Sequence, residues 1–255
     1  METKSYASGL KIALAFFGLW VNQTAFSQKV HLDTLTQLNN PSTKEAVYQT
    51  PEGYLYKVKF MNDPFSEVAT EGILSNNCAD STFAGQARKG AKTSIVGTKT
   101  EDFATVSALL NALAKDAVVR SKLTSRSARI AEENHNVRFL KDTYLFAFKK
   151  ESDNDYHIII GDNKSAKKAT LLNVEVSGLS GSNKQISNVR KAFERQFVNV
   201  CSSSYMVFAA NPIKIQIEGS TFFDVDHKPG QIGPVGFQPK TSWEIHPISK
   251  IVFLK

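Results

Sequence analysis

Strict alternation of apolar and polar residues is the clearest pattern in the chain, and it is strongest in the C-terminal half. In residues 212–219, Ile213, Ile215 and Ile217 alternate with polar residues, which is the period of a strand with one buried face. Four further apolar segments, separated by polar or turn-forming residues, also predict strands: 137–151, 156–162, 169–178 and 242–254.

One segment of helical period interrupts this series of strands. NVRKAFERQFVNV (188–200) places Val189, Phe193 and Phe197 on one helical face. The resulting order β-β-β-α-β-β is that of an OB-fold, a small Greek-key barrel. We therefore predict a mainly β, α+β fold with an OB-like five-stranded barrel over residues 135–255; an open α+β sheet with the helix on one face is the alternative.

Residues 45–134 predict a smaller α/β element before the barrel, and residues 28–44 are interpreted as a linker. Its elements follow from the same two periods. They are strands at 45–50 and 54–60, a helix that begins at the N-cap Thr100 and runs to residue 123, and a short helix at 125–134.

The first 27 residues have the charged, apolar and small-x-small order of a secretory signal peptide. The apolar run, residues 12–21, is shorter than the roughly 20 residues that span a bilayer. We expect cleavage after Ser27, export to the periplasm or the extracellular space, and no stable membrane insertion afterwards.

Charge and cysteine usage constrain the partners only loosely. Without residues 1–27, the 31 basic and 24 acidic residues of the full chain become 29 and 23, a net charge of +6. This charge permits contact with nucleic acid or anionic glycans but does not require it. Cys78 and Cys201 are a disulfide candidate in an oxidising compartment, with two separate thiols as the alternative.

The candidate chemistry lies in and around residues 224–242, a Gly- and Pro-rich loop between the fourth and fifth predicted strands of the barrel. In an OB-fold this loop flanks the ligand-binding face, and long loops are often functional. Glu244 and His246 leave the last strand from the same face. The ligand-binding candidates are His157, His227, Glu244, His246, Trp243 and Lys228.

Three uses of the cluster His157, His227, Glu244 and His246 are open: structural hydrogen bonding, metal binding and acid–base chemistry. Structural use is favoured, because no metal-binding motif such as HExxH or CxxC is present. The calcium loop of an EF-hand is also absent. We predict no cofactor, with zinc or calcium as alternatives, and assign no catalytic residue.

These features predict an exported, non-catalytic module that binds a glycan, a nucleic acid strand or an envelope protein. A metal-dependent hydrolase or nuclease that uses the histidine cluster is the alternative. The serine nucleophile motif G-x-S-x-G is absent, as are the phosphate-binding and dinucleotide-binding glycine motifs.

The C-terminal part of the chain, from about residue 137, resembles a family of small exported bacterial proteins of uncharacterised function. The shared features are an acidic hairpin before an apolar strand and a terminal motif ending in E-[IL]-H-P-[VI]. The matching residues are Asp153, Asp155, Tyr156, His157, Asp162, Gly219, Phe222, Phe223, Asp224, His227, Glu244, Ile245, His246, Pro247 and Ile248. The resemblance implies a compact β-rich domain and no particular activity. Ser177-Gly178 replaces a cysteine that family members often carry.

Overall fold

The computed structural model describes residues 36–37, 45–49, 55–61, 87–178, 183–197 and 204–254. The strands are β1 (Thr36–Gln37), β2 (Glu45–Gln49), β3 (Leu55–Met61), β4 (Glu101–Phe103), β5 (Asn136–Phe139), β6 (Thr143–Lys150), β7 (Tyr156–Gly161), β8 (Leu171–Val176), β9 (Tyr205–Val207), β10 (Ile213–Phe223) and β11 (Trp243–Phe253). The helices are α1 (Lys89–Lys92), α2 (Val106–Ala112), α3 (Asp116–Arg120), α4 (Lys184–Gln196) and a 3₁₀ turn at Ala131–Glu133. The predicted signal peptide and both cysteines lie outside the described residues. Within these ranges, no helix combines the length and the apolar character needed to cross a membrane.

Five strands form a closed barrel in the order β6-β7-β8-β11-β10, and β10 pairs back to β6. Neighbouring strands are antiparallel except β8 and β11, which are parallel. Helix α4 follows β8 in the chain and packs against β11. This arrangement confirms the predicted OB-like barrel, and the closure between β10 and β6 shows that the open-sheet alternative was wrong.

The barrel core explains the alternation in the sequence. Ile213, Ile215 and Ile217 of β10 are buried in the core, whereas Gln216 is exposed. Helix α4 covers one end of this core with an apolar face that includes Phe193. Burial of these side chains supplies the main favourable free energy for this arrangement of strands and helix.

The strand predicted at 137–151 is divided into β5 and β6. The amide of Leu140 donates to the carbonyl oxygen of Phe103 at 2.8 Å, and that of Lys141 donates to the carbonyl oxygen of Ala104 at 3.2 Å. These contacts lie next to the parallel pairing of β4 with β5. The chain therefore departs from regular pairing between the two strands.

The helix predicted from Thr100 to residue 123 was wrong at its start and in its continuity, because α2 ends at Ala112 and α3 spans Asp116–Arg120. Residues 101–103 form β4, and the hydroxyl of Thr105 accepts from the amide of Ala108 at 3.1 Å, so Thr105 caps α2. Thr100 donates instead to Glu218 at 3.0 Å. Thr100 and Thr105 can both cap a helix. Because residues 101–103 pair with β5, the helix can begin only after them, at Thr105.

The helix predicted at 125–134 was also wrong, because apart from the 3₁₀ turn this segment is irregular. Its polar groups bind distant parts of the chain. Arg88 donates to the carbonyl oxygens of Ser127 and Ala128, both at 3.1 Å. The side chain of Arg88 thus donates to carbonyl oxygens that would accept from backbone amides in a helix.

The short strand β9 was not predicted. It pairs with β6 on one side and β3 on the other, so it joins β1, β2 and β3 to the barrel in one sheet. With three residues, β9 is too short to show a period. The division of the chain at residues 134 and 135 stays a prediction.

Candidate functional site

The outer face of β7, β8 and β11 carries a group of buried polar residues. Side chains alternate along each strand, and the intervening residues point into the barrel core. The register places His157 opposite Glu175 and Glu244 opposite Asn173. The outer face of the second and third barrel strands, here β7 and β8, is the one with which OB-folds bind ligands.

Loop 224–242 covers part of this face. Ile232 and Phe237 of the loop pack against a small apolar cluster that includes Tyr205. The amide of Gly233 donates to the hydroxyl of Tyr205 at 3.1 Å. The loop therefore occupies part of the face on which an OB-fold without such a covering loop would bind its ligand.

The conformation of the loop depends on its glycines and on hydrogen bonds to helix α3. Three glycines have φ between +84° and +98°, a conformation that other residues rarely adopt: Gly230, Gly233 and Gly236. Helix α3 holds both ends of the loop. Arg120 donates to the carbonyl oxygens of Val225 and His227, both at 2.7 Å, and Asp116 accepts from the amide of Ser242 at 2.6 Å.

His157 lies between two carboxylates. Its Nδ1 is 2.9 Å from Glu151, and its Nε2 is 3.0 Å from Glu175. Burial alone would lower the pKa of His157, but Glu175 and Glu151 raise it well above its usual value. Both ring nitrogens therefore face a carboxylate oxygen at hydrogen-bond distance. Lys149 also contacts Glu151, at 2.7 Å.

Two carboxylates share the amide of Asn173. Its nitrogen donates to Oε1 of Glu175 at 2.9 Å and to Oε2 of Glu244 at 2.7 Å. Burial and the charge of Glu175 raise the pKa of Glu244 to about 7. Burial also opposes ionisation of Glu175, but His157 and His246 lower its pKa well below the usual value.

His246 lies at the centre of this group and is fully buried. Its Nδ1 is 2.9 Å from Oε2 of Glu175 and 3.7 Å from Oε1 of Glu244, and its Nε2 is 3.8 Å from Oδ2 of Asp155. Burial would lower the pKa of His246, but the surrounding carboxylates raise it to about 10. Burial raises the pKa of Asp155 to about 6.

His227, the fourth member of the predicted cluster, contacts a different carboxylate. Its Nδ1 is 2.5 Å from Oδ2 of Asp224, and its side chain is 46% exposed. The positive charge of Lys92 also acts on the Asp224 carboxylate. Burial would lower the pKa of Lys92, but Glu175, Glu244 and other acids raise it. His227 thus lies at the edge of the buried group.

The Asp224 contact predicts that His227 titrates above its usual pKa of 6.5. The contact between protonated His227 and Asp224 should stabilise the fold fully below pH 6.5, and this stabilisation should be lost as the pH rises through the folded-state pKa of His227. Asp224→Asn should therefore lower the His227 pKa measured by NMR titration of the imidazole. Asp226→Asn, at an exposed neighbouring position, should leave it unchanged. An unaltered His227 pKa in Asp224→Asn would contradict this account.

Two predicted ligand residues lie apart from the buried group. Trp243 belongs to the core, where its ring packs edge-on against Phe223 with centroids 5.3 Å apart and its Nε1 donates to the carbonyl oxygen of Ala114 at 2.8 Å. Lys228 is exposed at the start of the loop. The structure therefore brings together His157, Glu244 and His246 from the predicted set.

Sequence reasoning missed Asn173 and Glu175. They occupy alternate positions of an apolar strand, a pattern that usually indicates a solvent-facing side. The available signal was that two other polar positions, at His157 and Glu244, lie on predicted neighbouring strands. Pairing the strands in the order of an OB-fold would have placed these residues side by side.

These observations define an OB-type barrel with a buried group of carboxylates and imidazoles on its outer face. Comparison of the chain with protein-family models, with curated proteins and with solved structures gives no match.

Proposed function

We propose that the chain is an exported, non-catalytic binding module whose ligand is a small cation held on the outer face of the barrel, beside loop 224–242. Export is supported by the signal-peptide pattern of residues 1–27. The site is supported by its position on the ligand-binding face of an OB-type barrel.

The charges of this region are compatible with a bound cation. Five carboxyl groups lie in it and two lysine ammonium groups face them, which leaves three negative charges to be balanced by protonated imidazoles or by a bound cation. The carboxyl groups are those of Glu151, Asp155, Glu175, Asp224 and Glu244, and the lysines are Lys92 and Lys149.

The observation that carries the proposal is a convergence of buried atoms that lack hydrogen bonds. Within the described part of the chain, hydrogen bonds of good geometry are missing at Oδ2 of Asp155, Oε2 of Glu175, Oε1 of Glu244 and both ring nitrogens of His246, although Nδ1 of His246 and Oε2 of Glu175 form an ion pair at 2.9 Å. A buried polar atom without a partner costs about 1–3 kcal/mol. A cation at this point would interact with several of these atoms at once.

The other predicted functions have less support at this site. An extended glycan or nucleic acid strand would have to displace loop 224–242 from the face that it covers. A hydrolase would need a position that substrate can reach, yet the side chains of Glu175, Glu244 and His246 are 2%, 1% and 0% exposed. His157, which contacts Glu175, is 12% exposed.

Thermal unfolding of the full chain tests cation binding. After treatment with chelator, Mg²⁺, Ca²⁺, Mn²⁺ and Zn²⁺ are added separately. A ligand at 100 times its Kd stabilises a fold by about 2.7 kcal/mol. For a chain of this size we expect one of the ions to raise Tm by roughly 5–10 °C. Elemental analysis of protein purified without chelator should show the same ion. The proposal fails if no ion raises Tm and none is retained.

A further inference from the structure

We infer that the cation is a first-row transition ion of the zinc type, bound by Nδ1 of His246, Oε2 of Glu175 and Oε1 of Glu244. This inference rests on the proposed function, because it names the ligand class of the same site.

The two separations from His246 to the glutamate oxygens are close to those around such an ion. Nδ1 of His246 is 2.9 Å from the Glu175 oxygen and 3.7 Å from the Glu244 oxygen. Zinc binds nitrogen and oxygen ligands at about 2.0–2.2 Å in tetrahedral geometry, which separates two ligand atoms by roughly 3.4 Å. The two separations, 2.9 and 3.7 Å, lie on either side of this value, so movements of up to about 0.5 Å would bring both His246–glutamate distances to it.

Each of the two glutamates has one oxygen held and one oxygen directed at His246. Oε1 of Glu175 accepts from His157 and Asn173, and Oε2 of Glu244 accepts from Asn173. The remaining oxygens, Oε2 of Glu175 and Oε1 of Glu244, have His246 as their polar neighbour and make no hydrogen bond of good geometry, although both residues are at least 98% buried. Asn173 and His157 thus orient both carboxylates for single-oxygen coordination.

Asp155 has the position of a carboxylate that orients a metal-bound histidine. Its Oδ2 lies 3.8 Å from Nε2 of His246, the nitrogen that would not bind the ion. Its Oδ1 accepts from the amide of Gly178 at 2.5 Å, which fixes the carboxylate. Metal-binding histidines usually donate their second N–H to a carboxylate or carbonyl group, which sets the tautomer. The 3.8 Å separation is longer than a hydrogen bond and must shorten for this role, in which Asp155 would act as a positioning residue.

The ligand set disfavours calcium and magnesium. Calcium takes six to eight oxygen ligands, and magnesium binds through a few carboxylates while keeping several waters. Here an imidazole nitrogen lies at the centre of the group, and imidazole suits zinc and its neighbours in the first transition row.

Titration of the chelator-treated full chain with Co²⁺ and Zn²⁺ tests the inference. We expect one equivalent to bind, with the visible absorption and X-ray absorption of the Co²⁺ form showing one imidazole nitrogen among oxygen ligands. Glu244→Gln, Glu175→Gln and His246→Asn should weaken binding on the order of 100-fold or more, and Asp155→Asn about 10–100-fold. Glu244→Gln is the principal variant, because glutamine keeps an oxygen for the bond from Asn173.

The matched control is His135→Asn. His135 pairs with Glu101 at 2.7 Å, the same two groups in contact, but on the surface. This variant should bind Zn²⁺ as the wild type does, and circular dichroism should show which site variants fold. Zn²⁺ affinity unchanged in both folded Glu244→Gln and folded Glu175→Gln would overturn the inference. Binding of Ca²⁺ or Mg²⁺ but not of Zn²⁺ or Co²⁺ would overturn it while leaving the proposed function intact. Failure of every ion to bind would defeat both.

Discussion

Replacing Glu133 by alanine should lower the free energy of unfolding by about 3–5 kcal/mol, the usual cost of removing one partner of a buried ion pair. Glu133 is fully buried and Arg88 is 4% exposed. The carboxylate accepts from Nη1 of Arg88 at 2.8 Å and from Nη2 at 2.5 Å. It also accepts from the amides of Ile130 and Phe223. Alanine would leave a buried guanidinium without its counter-charge and two amides without an acceptor.

The exposed pair Arg138–Asp102 is a matched control, because it has the same two-pronged geometry, with contacts of 2.8 and 3.0 Å. Asp102→Ala should cost about 1 kcal/mol or less, since surface ion pairs contribute little. Urea unfolding of both variants gives the two free energies. Equal losses in Glu133→Ala and Asp102→Ala would show that burial does not strengthen the pair.

Ile215→Asp should be the most damaging single change in β10. Ile215 is 1% exposed, and its strand neighbours are Thr143 on β6 and Phe253 on β11. Aspartate there would place an unpaired charge in the barrel core, at a cost on the order of 5 kcal/mol. The total stability of a domain is roughly 5–15 kcal/mol, so we expect the variant to be largely unfolded or insoluble.

The neighbouring position gives the comparison for this variant. Gln216 lies on the opposite face of the same strand and is exposed. Gln216→Asp should cost about 0.5 kcal/mol or less. Circular dichroism and thermal melts of the two variants measure the difference. Similar melting behaviour would mean that the assigned facing of β10 is wrong.

The fold was predictable where local pattern and tertiary packing agree. Strict alternation located β10, and the helical period located α4, because each has one face in the barrel core. The start of α2 was not predictable from Thr100, since Thr105 has the same capping group and only the pairing of β4 with β5 selects it. Local propensity does not distinguish the two threonines, and the non-local hydrogen bonds between β4 and β5 determine which one caps the helix.

The site was predictable only in part. Glu244 and His246 were identified because two residues of strand spacing share a face. Glu175 was missed, since an acidic residue on a strand usually faces water. His227 contacts Asp224 and not the other members of the predicted cluster, because Asp224, three residues away, is within reach of its imidazole without any strand pairing.

The parallel pairing of β8 with β11 also has a consequence for the order of events during folding. Asn173 and Glu244, which this pairing aligns, are 71 positions apart in sequence. Contacts over such separations form slowly, because the intervening chain must first be closed into a loop. Trp243 immediately precedes Glu244 and becomes buried when β11 docks. The only other tryptophan, Trp20, lies in the predicted signal peptide. In a chain without residues 1–27, the fluorescence of Trp243 during refolding would therefore report when Glu244 and His246 reach Glu175.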